Sequence, residues 1–151
     1  MPMNASGVSH IAICVRDLDV SLQFYCDVLG MSIVSDVIQD TTTGGLPHVY
    51  AHSRATRRQV RLAYADGAKP TLTMTSHPGE SPDGTPIKLD QVGISHISFT
   101  VPDPGALAEN LSSQGVPLAA PMDVWTNAEG RVSSFYVYDP DGILVQFDVG
   151  G

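Results

Sequence analysis

The residues from Gly7 to Asp17, GVSHIAICVRD, return from Gly93 to Asp103 as GISHISFTVPD, with glycine, serine, histidine, isoleucine, valine and aspartate recurring at one fixed offset of 86 positions. In a chain of 151 residues, a repeat of this kind makes the fold two copies of one supersecondary unit. Halves of about 75 residues are marginal alone and gain stability when packed together. The repeat also sets His10 and His96 at the same point of each copy. Paired histidines are a natural start for a metal or catalytic site.

Hydrophobic periodicity gives both copies the order strand, helix and three strands. In the first, Val8 to Val15 alternates and reads as a strand. Leu18, Leu22, Tyr25 and Leu29 then recur at helical spacing. Asp17 or Asp19 caps that helix, and Gly30 stops it. Strands follow from Met31 to Gln39, up to Tyr64, and from Thr71 to Ser76. The second copy predicts a strand over Ile94 to Val101 and a helix over Pro104 to Gln114, with proline in its first turn. Strands over Val116–Val124, Arg131–Tyr138 and Ile143–Val149 complete it. The turn Asp139-Pro140-Asp141-Gly142 joins the last two. The segment from Ser76 to Gln91 is rich in proline, glycine and aspartate, and reads as the linker. The expected organisation is therefore a first module over 1–76, a linker over 77–91 and a second module over 92–151, together one structural domain.

Strand alternation sorts the side chains, because neighbours point to opposite faces. Ile11, Ile13 and Val15 face the helix in the first copy, as do Ile97, Phe99 and Val101 in the second. The other face collects His10, Ala12 and Cys14 with Thr71, Thr73 and Thr75. Its counterpart collects His96, Ser98 and Thr100 with Leu144, Gln146 and Asp148. Solvent-facing strands usually carry charges, whereas these positions hold His, Ser, Thr and Gln. Uncharged polar groups beside two histidines suit the lining of a ligand cavity. His48 and His52 share a face with Tyr50 if HVYAH is extended, as pocket rim or as loop. Tyr136 and Trp125 wall a cavity or pack a core. His77 opens the linker as a structural or solvated residue.

Net charge is −8, which argues against nucleic acid as partner. Four of the eight basic residues, Arg54, Arg57, Arg58 and Arg61, nevertheless fall within eight positions. They form either a solvated edge or a patch holding a carboxylate or phosphate. No run approaches the roughly 18 apolar residues of a membrane helix, and MPMNASG lacks the features of a signal peptide. Cys14 and Cys26 fall on a strand and a helix without a disulfide framework, so the expected setting is reducing and cytoplasmic.

The double βαβββ order, the SHI first strands, the helix end LQFYCDVLGM and the hairpin FYVYDPDGILVQFD resemble the vicinal oxygen chelate superfamily. That superfamily includes glyoxalase I, methylmalonyl-CoA epimerase, extradiol dioxygenases, fosfomycin-resistance transferases and bleomycin-binding proteins. The resemblance covers nearly the whole chain. It implies an α+β fold in which two βαβββ modules curve their mixed sheets into a cupped open barrel around a divalent metal (Zn, Ni, Mn or Fe). It makes His10 and His96 first-strand ligands and puts Gln146 where the family usually has Glu, in DPDG-x-x-x-E. Thr73 takes the remaining position. Glutamine ligates through its carbonyl but brings no charge and cannot act as a base. Threonine is a poor ligand. Two neutral histidines and a neutral glutamine leave the ion's charge uncompensated, which weakens affinity. Asp148, on the same face, is the substitute candidate for the missing base.

The resemblance implies a metal-dependent lyase or isomerase acting on a small oxygen-bearing metabolite. Its substrate would meet Thr73, Ser98, Thr100, His48, Tyr50, His52, Arg58 and Tyr136. The alternatives are a metal-free protein that sequesters a drug or metabolite, or a fosfomycin-type transferase. The expected partners are a small molecule and a second copy of the chain, with neither nucleic acid nor membrane. Open half-barrels leave strand edges that need cover, so sedimentation at micromolar concentration is expected to give a homodimer; a monomer there counts against it.

Overall fold

The computed structural model describes residues 3–150. The chain divides after Asp83 into two compact units, and the architecture is α+β, with one mixed sheet in each unit.

The first unit contains β1 (His10–Cys14), α1 (Leu18–Leu22), β2 (Ser32–Asp40), β3 (Thr56–Ala63) and β4 (Thr71–Ser76). Its sheet runs β1-β4-β3-β2. The first and last strands pair in parallel, with His10 opposite Thr71, Ala12 opposite Thr73 and Cys14 opposite Thr75. The Asp17 carboxylate caps α1 by accepting from the backbone N–H groups of Asp19 and Val20. The single helix expected to Leu29 changes its winding at Gln23, and Gln23–Val28 is π-helical. Leu29 N–H donates to the Phe24 carbonyl five residues back, at 3.0 Å. The smaller angular step of a π turn keeps the neighbours Phe24 and Tyr25 both buried, edge to face at 4.9 Å. Gly30 then ends the helix with φ +81°, a conformation glycine adopts without strain.

The second unit contains β5 (His96–Thr100), α2 (Pro104–Ser113), α3 (Met122–Trp125), β6 (Ser134–Tyr138) and β7 (Leu144–Asp148). Its sheet runs β5-β7-β6. Again the first and last strands are parallel, with Ser98 opposite Gln146 and Thr100 opposite Asp148. The strand expected over Val116–Val124 is not formed. It reduces to one bridge, Leu118 to Val137, and then turns into α3. Pro117 and Pro121 remove two backbone donors from that stretch, so it cannot extend a ladder. The strand expected from Arg131 starts instead at Ser134. Asn127 Oδ1 accepts from the N–H groups of Glu129 and Arg131 at 3.0 and 2.9 Å, which folds those residues into a turn. In the β6–β7 turn the buried Asp139 takes the N–H groups of Asp141 and Ile143 at 2.9 and 2.8 Å.

Each sheet covers its helix with apolar side chains. Val15, Leu18, Tyr25, Val60, Leu62 and Met74 are buried in the first unit, and Ala108, Leu111, Phe135, Val137, Val145 and Phe147 in the second. Among the described residues no helix is long and apolar enough to cross a membrane. Phe147 lies 5.1 Å from Phe135 and 5.9 Å from Phe99, ring to ring. Phe147→Ala is expected to lower stability by about 3–5 kcal/mol in chemical denaturation, the usual cost of a large core cavity.

Candidate functional site

The polar face of the second unit follows from the register of its three strands. Gln146 lies between Ser98 on β5 and Tyr136 on β6, and Asp148 between Thr100 and Ser134. His96, Ser98, Thr100, Tyr136, Gln146 and Asp148 therefore share one face, opposite buried Phe99, Phe135, Val145 and Phe147. The His96 ring meets Tyr136 edge-on at 5.4 Å, and Trp125 lies against the same tyrosine at 5.8 Å. Gln146 Nε2 donates to Ser134 Oγ at 2.8 Å, which reserves the carbonyl Oε1 for an incoming group. Ser98 Oγ donates to Asp148 Oδ2 at 3.3 Å, and Gly150 N–H to Oδ1 at 2.9 Å.

In the first unit His10, Thr73, Cys14 and Thr75 share the corresponding face. β4 lies between β1 and β3, and Thr71, Thr73 and Thr75 are all buried. Each histidine is held by the serine before it. Ser9 Oγ lies 2.8 Å from His10 Nδ1, and Ser95 Oγ lies 2.8 Å from His96 Nδ1. When Nδ1–H donates to the hydroxyl, Nε2 presents its lone pair. The sequence repeat is thus also a repeat of side-chain geometry.

The other expected residues of the first unit separate. Tyr50 and His52 line a cavity of about 300 Å³ with Cys14, Arg54, Arg57, Thr75 and His77. His52 is paired with Asp83. His48 lies exposed in the short turn Leu46–His48. Arg58 occupies the opposite face of β3 from Arg57 and Arg61, by strand alternation. It grips Asp36 through Nε and Nη2 at 3.0 and 2.8 Å, and Asp19 through Nη1 at 2.8 Å. Its guanidinium ties helix to sheet and lies on the face away from Thr73.

The family model for the glyoxalase/bleomycin resistance protein/dioxygenase superfamily matches residues 7–147. The chain belongs to this superfamily. A lactoylglutathione lyase of Pseudomonas aeruginosa is 29% identical over 147 residues, covering 91% of this chain and 79% of that one. Among solved structures, a glyoxalase family protein of Bacillus cereus superposes with a TM-score of 0.73 at 17% identity, over 96% of this chain and 94% of that one. The trypanothione-dependent glyoxalase I of Leishmania major gives 0.67 at 22% identity, over 96% and 88%. These two structural likenesses concern the fold.

Members of this superfamily commonly use divalent metals. Among the described residues no three His, Cys, Asp or Glu side chains gather into a metal-holding group. Taken singly, an imidazole with Nδ1 occupied by serine and the Gln146 amide oxygen left open by Ser134 are each chemically fit to be a neutral, weak metal donor.

One residue of the polar face carries more than its sequence reading gave it. His77 is buried at 8% exposure rather than solvated. Its Nε2 lies 3.0 Å from the Tyr50 hydroxyl and its Nδ1 4.0 Å from Cys14 Sγ. Burial, and next the Arg54 charge, hold its pKa below the ordinary imidazole value. The signal was present: His77 continues the alternation Thr71, Thr73, Thr75 by one more step. The larger cavity of the second unit, about 740 Å³ between Asp103, Glu109, Asn127 and Arg131, includes none of the expected site residues.

The Arg58 geometry yields a test. Its hydrogen bond holds the Asp36 carboxyl below the ordinary value of 3.8. A carboxyl whose folded pKa is lowered stabilises the fold above its unfolded pKa and loses that contribution as pH falls through the folded value. Asp36 is 37% exposed, so solvent keeps the contribution under about 1 kcal/mol. Arg58→Gln is expected to return the Asp36 titration, followed by NMR, toward the ordinary carboxylate range. It should cost little thermal stability at neutral pH and leave small-molecule binding unchanged.

Proposed function

We propose that the protein is a glyoxalase-like enzyme, a divalent-metal-dependent lyase or isomerase acting on a small metabolite with neighbouring oxygen atoms. His10, His96 and Gln146 would hold the metal. The observation that carries this reading is the repeated serine–histidine pair, which presents Nε2 from the first strand of each unit in the same way. The lactoylglutathione lyase relative and the superfamily match support it. A divalent ion held there supplies Lewis acidity to adjacent oxygens of the substrate. Asp148 is the carboxylate of its strand face and takes the part of proton acceptor, oriented by Ser98 and Gly150. Thr73, Ser98, Thr100 and Tyr136 line the substrate, with a second copy of the chain as the expected partner.

A second reading follows from one specific feature: neither Thr73 nor Gln146 brings a carboxylate. A metal-free protein that sequesters a drug or metabolite would keep the same polar faces without needing that charge.

Titration with Zn²⁺, Ni²⁺ and Mn²⁺ separates the two. Under the enzyme reading the wild type binds measurably and His96→Ala abolishes binding. Gln146→Glu then tightens it by at least about tenfold, because the new carboxylate supplies charge in nearly the same volume. Binding that appears only in Gln146→Glu overturns the metal enzyme and leaves the sequestering protein.

A further inference from the structure

The cavity of the first unit combines three groups that the reading above does not use as a set. Cys14, the last residue of β1, is an exposed residue outside any disulfide. Its Sγ lies 4.0 Å from Nδ1 of the buried His77, and His77 Nε2 lies 3.0 Å from Tyr50 Oη. The His77 and Tyr50 rings meet edge to face at 5.3 Å, which holds the imidazole in this plane. With its proton on Nε2 and donated to Tyr50, His77 turns the lone pair of Nδ1 toward the sulfur. A thiol, a base and an orienting hydroxyl in this order form the arrangement that activates a nucleophile.

Charged side chains of both signs surround the pair. Arg54 and Arg57 line the cavity beside Cys14. Arg54 is paired with Glu80 at 3.2 Å, and Arg57 Nε donates to Gln39 Oε1 at 2.7 Å. The His52–Asp83 pair closes the rim. Arg54 and Arg57, set against Glu80 and Asp83, place two guanidiniums where they can face a thiolate, while the buried imidazole stays neutral, ready to accept a proton. The lowered pKa of His77 agrees with this. Cys26 provides the contrast, since burial and then Asp27 push its thiol pKa up.

We propose that Cys14 is a nucleophilic thiol activated by His77, and that the cavity around it admits a small electrophile carrying a carboxylate or phosphate. The Sγ–H proton passes to His77 Nδ1 while Tyr50 keeps the Nε2 proton. The sulfur electron pair forms the new S–C bond. With an activated alkene the π pair moves to the adjacent carbon, which takes the proton back from His77. With an alkyl halide the halide leaves with the bonding pair, and His77 later yields its proton to water. The site does not depend on a metal.

Alkylation of the full chain by iodoacetate and by neutral iodoacetamide, with peptide mass mapping of both cysteines, tests the proposal. At pH 7 Cys14 is expected to react at least about tenfold faster than Cys26, with a rate inflection well below the value of about 8.5 for a free thiol. His77→Gln should slow Cys14 about tenfold and move the inflection to the free-thiol range. Tyr50→Phe should give a smaller loss. Arg57→Gln should slow iodoacetate about threefold more than it slows iodoacetamide. A wild-type inflection in the free-thiol range, or an unchanged Cys14 rate in folded His77→Gln, overturns the activation. Should His77→Gln fail to fold, the wild-type pH profile decides alone. An iodoacetate-to-iodoacetamide ratio no higher than that of free cysteine overturns the anionic ligand.

Discussion

The parallel pairing between the first and last strand of each unit is the constraint from which both polar faces follow. A strand shows its side chains alternately, so one register fixes every neighbour on a face. With Ala12 opposite Thr73 and Ser98 opposite Gln146, His10 and His96 take equivalent places beside the last strand. A slip of one residue would turn Thr73 and Gln146 inward and bring Met74 and Phe147 out. The burial of Met74 and Phe147, at 0% and 1% exposure, opposes that slip with the full hydrophobic cost of two large side chains.

This arrangement has its own demand. β4 is buried on both faces, and one of those faces is threonine. The strand accommodates this because a hydroxyl can donate to a nearby carbonyl, as Thr75 Oγ1 does to Ile13 at 3.5 Å. Among the described residues no buried side-chain polar atom lacks a hydrogen-bond partner. A polar inner strand with its hydrogen bonds met forms a face that can meet a ligand without first being unpaired.

Period-two patterning was legible wherever one side of a strand is packed on a helix. β4 appears with the bounds its sequence suggests, and the six expected residues of the second unit lie together. Signals that depend on competition between local and tertiary terms were not legible. Pro117 and Pro121 lie in an apolar stretch whose period favours a strand, yet their missing donors win. Gln23 to Val28 has helical spacing, and that spacing does not distinguish an α turn from a π turn that must bury adjacent aromatic rings. Arg58 lies one position from Arg57, so a cluster counted along the chain hides that alternation sends the two to opposite faces. His77 opens the stretch whose proline, glycine and aspartate content reads as linker, although β4's alternation reaches it.

The two units also show how far one backbone plan lets chemistry diverge. Register makes Cys14 equivalent to Thr100, Thr75 to Asp148 and Arg61 to Tyr136. The first unit therefore lines its face with guanidiniums and a thiol, and the second with aromatic rings, an amide and a carboxylate. The histidines and their serines remain common to both. Hydrogen bonding through Nδ1 is a stringent requirement on residue type, whereas the positions farther along each strand need only side chains that fit the pleat. Divergence is thus confined to places where the backbone imposes size and polarity without imposing identity, and those are the places from which a substrate or an electrophile would be selected.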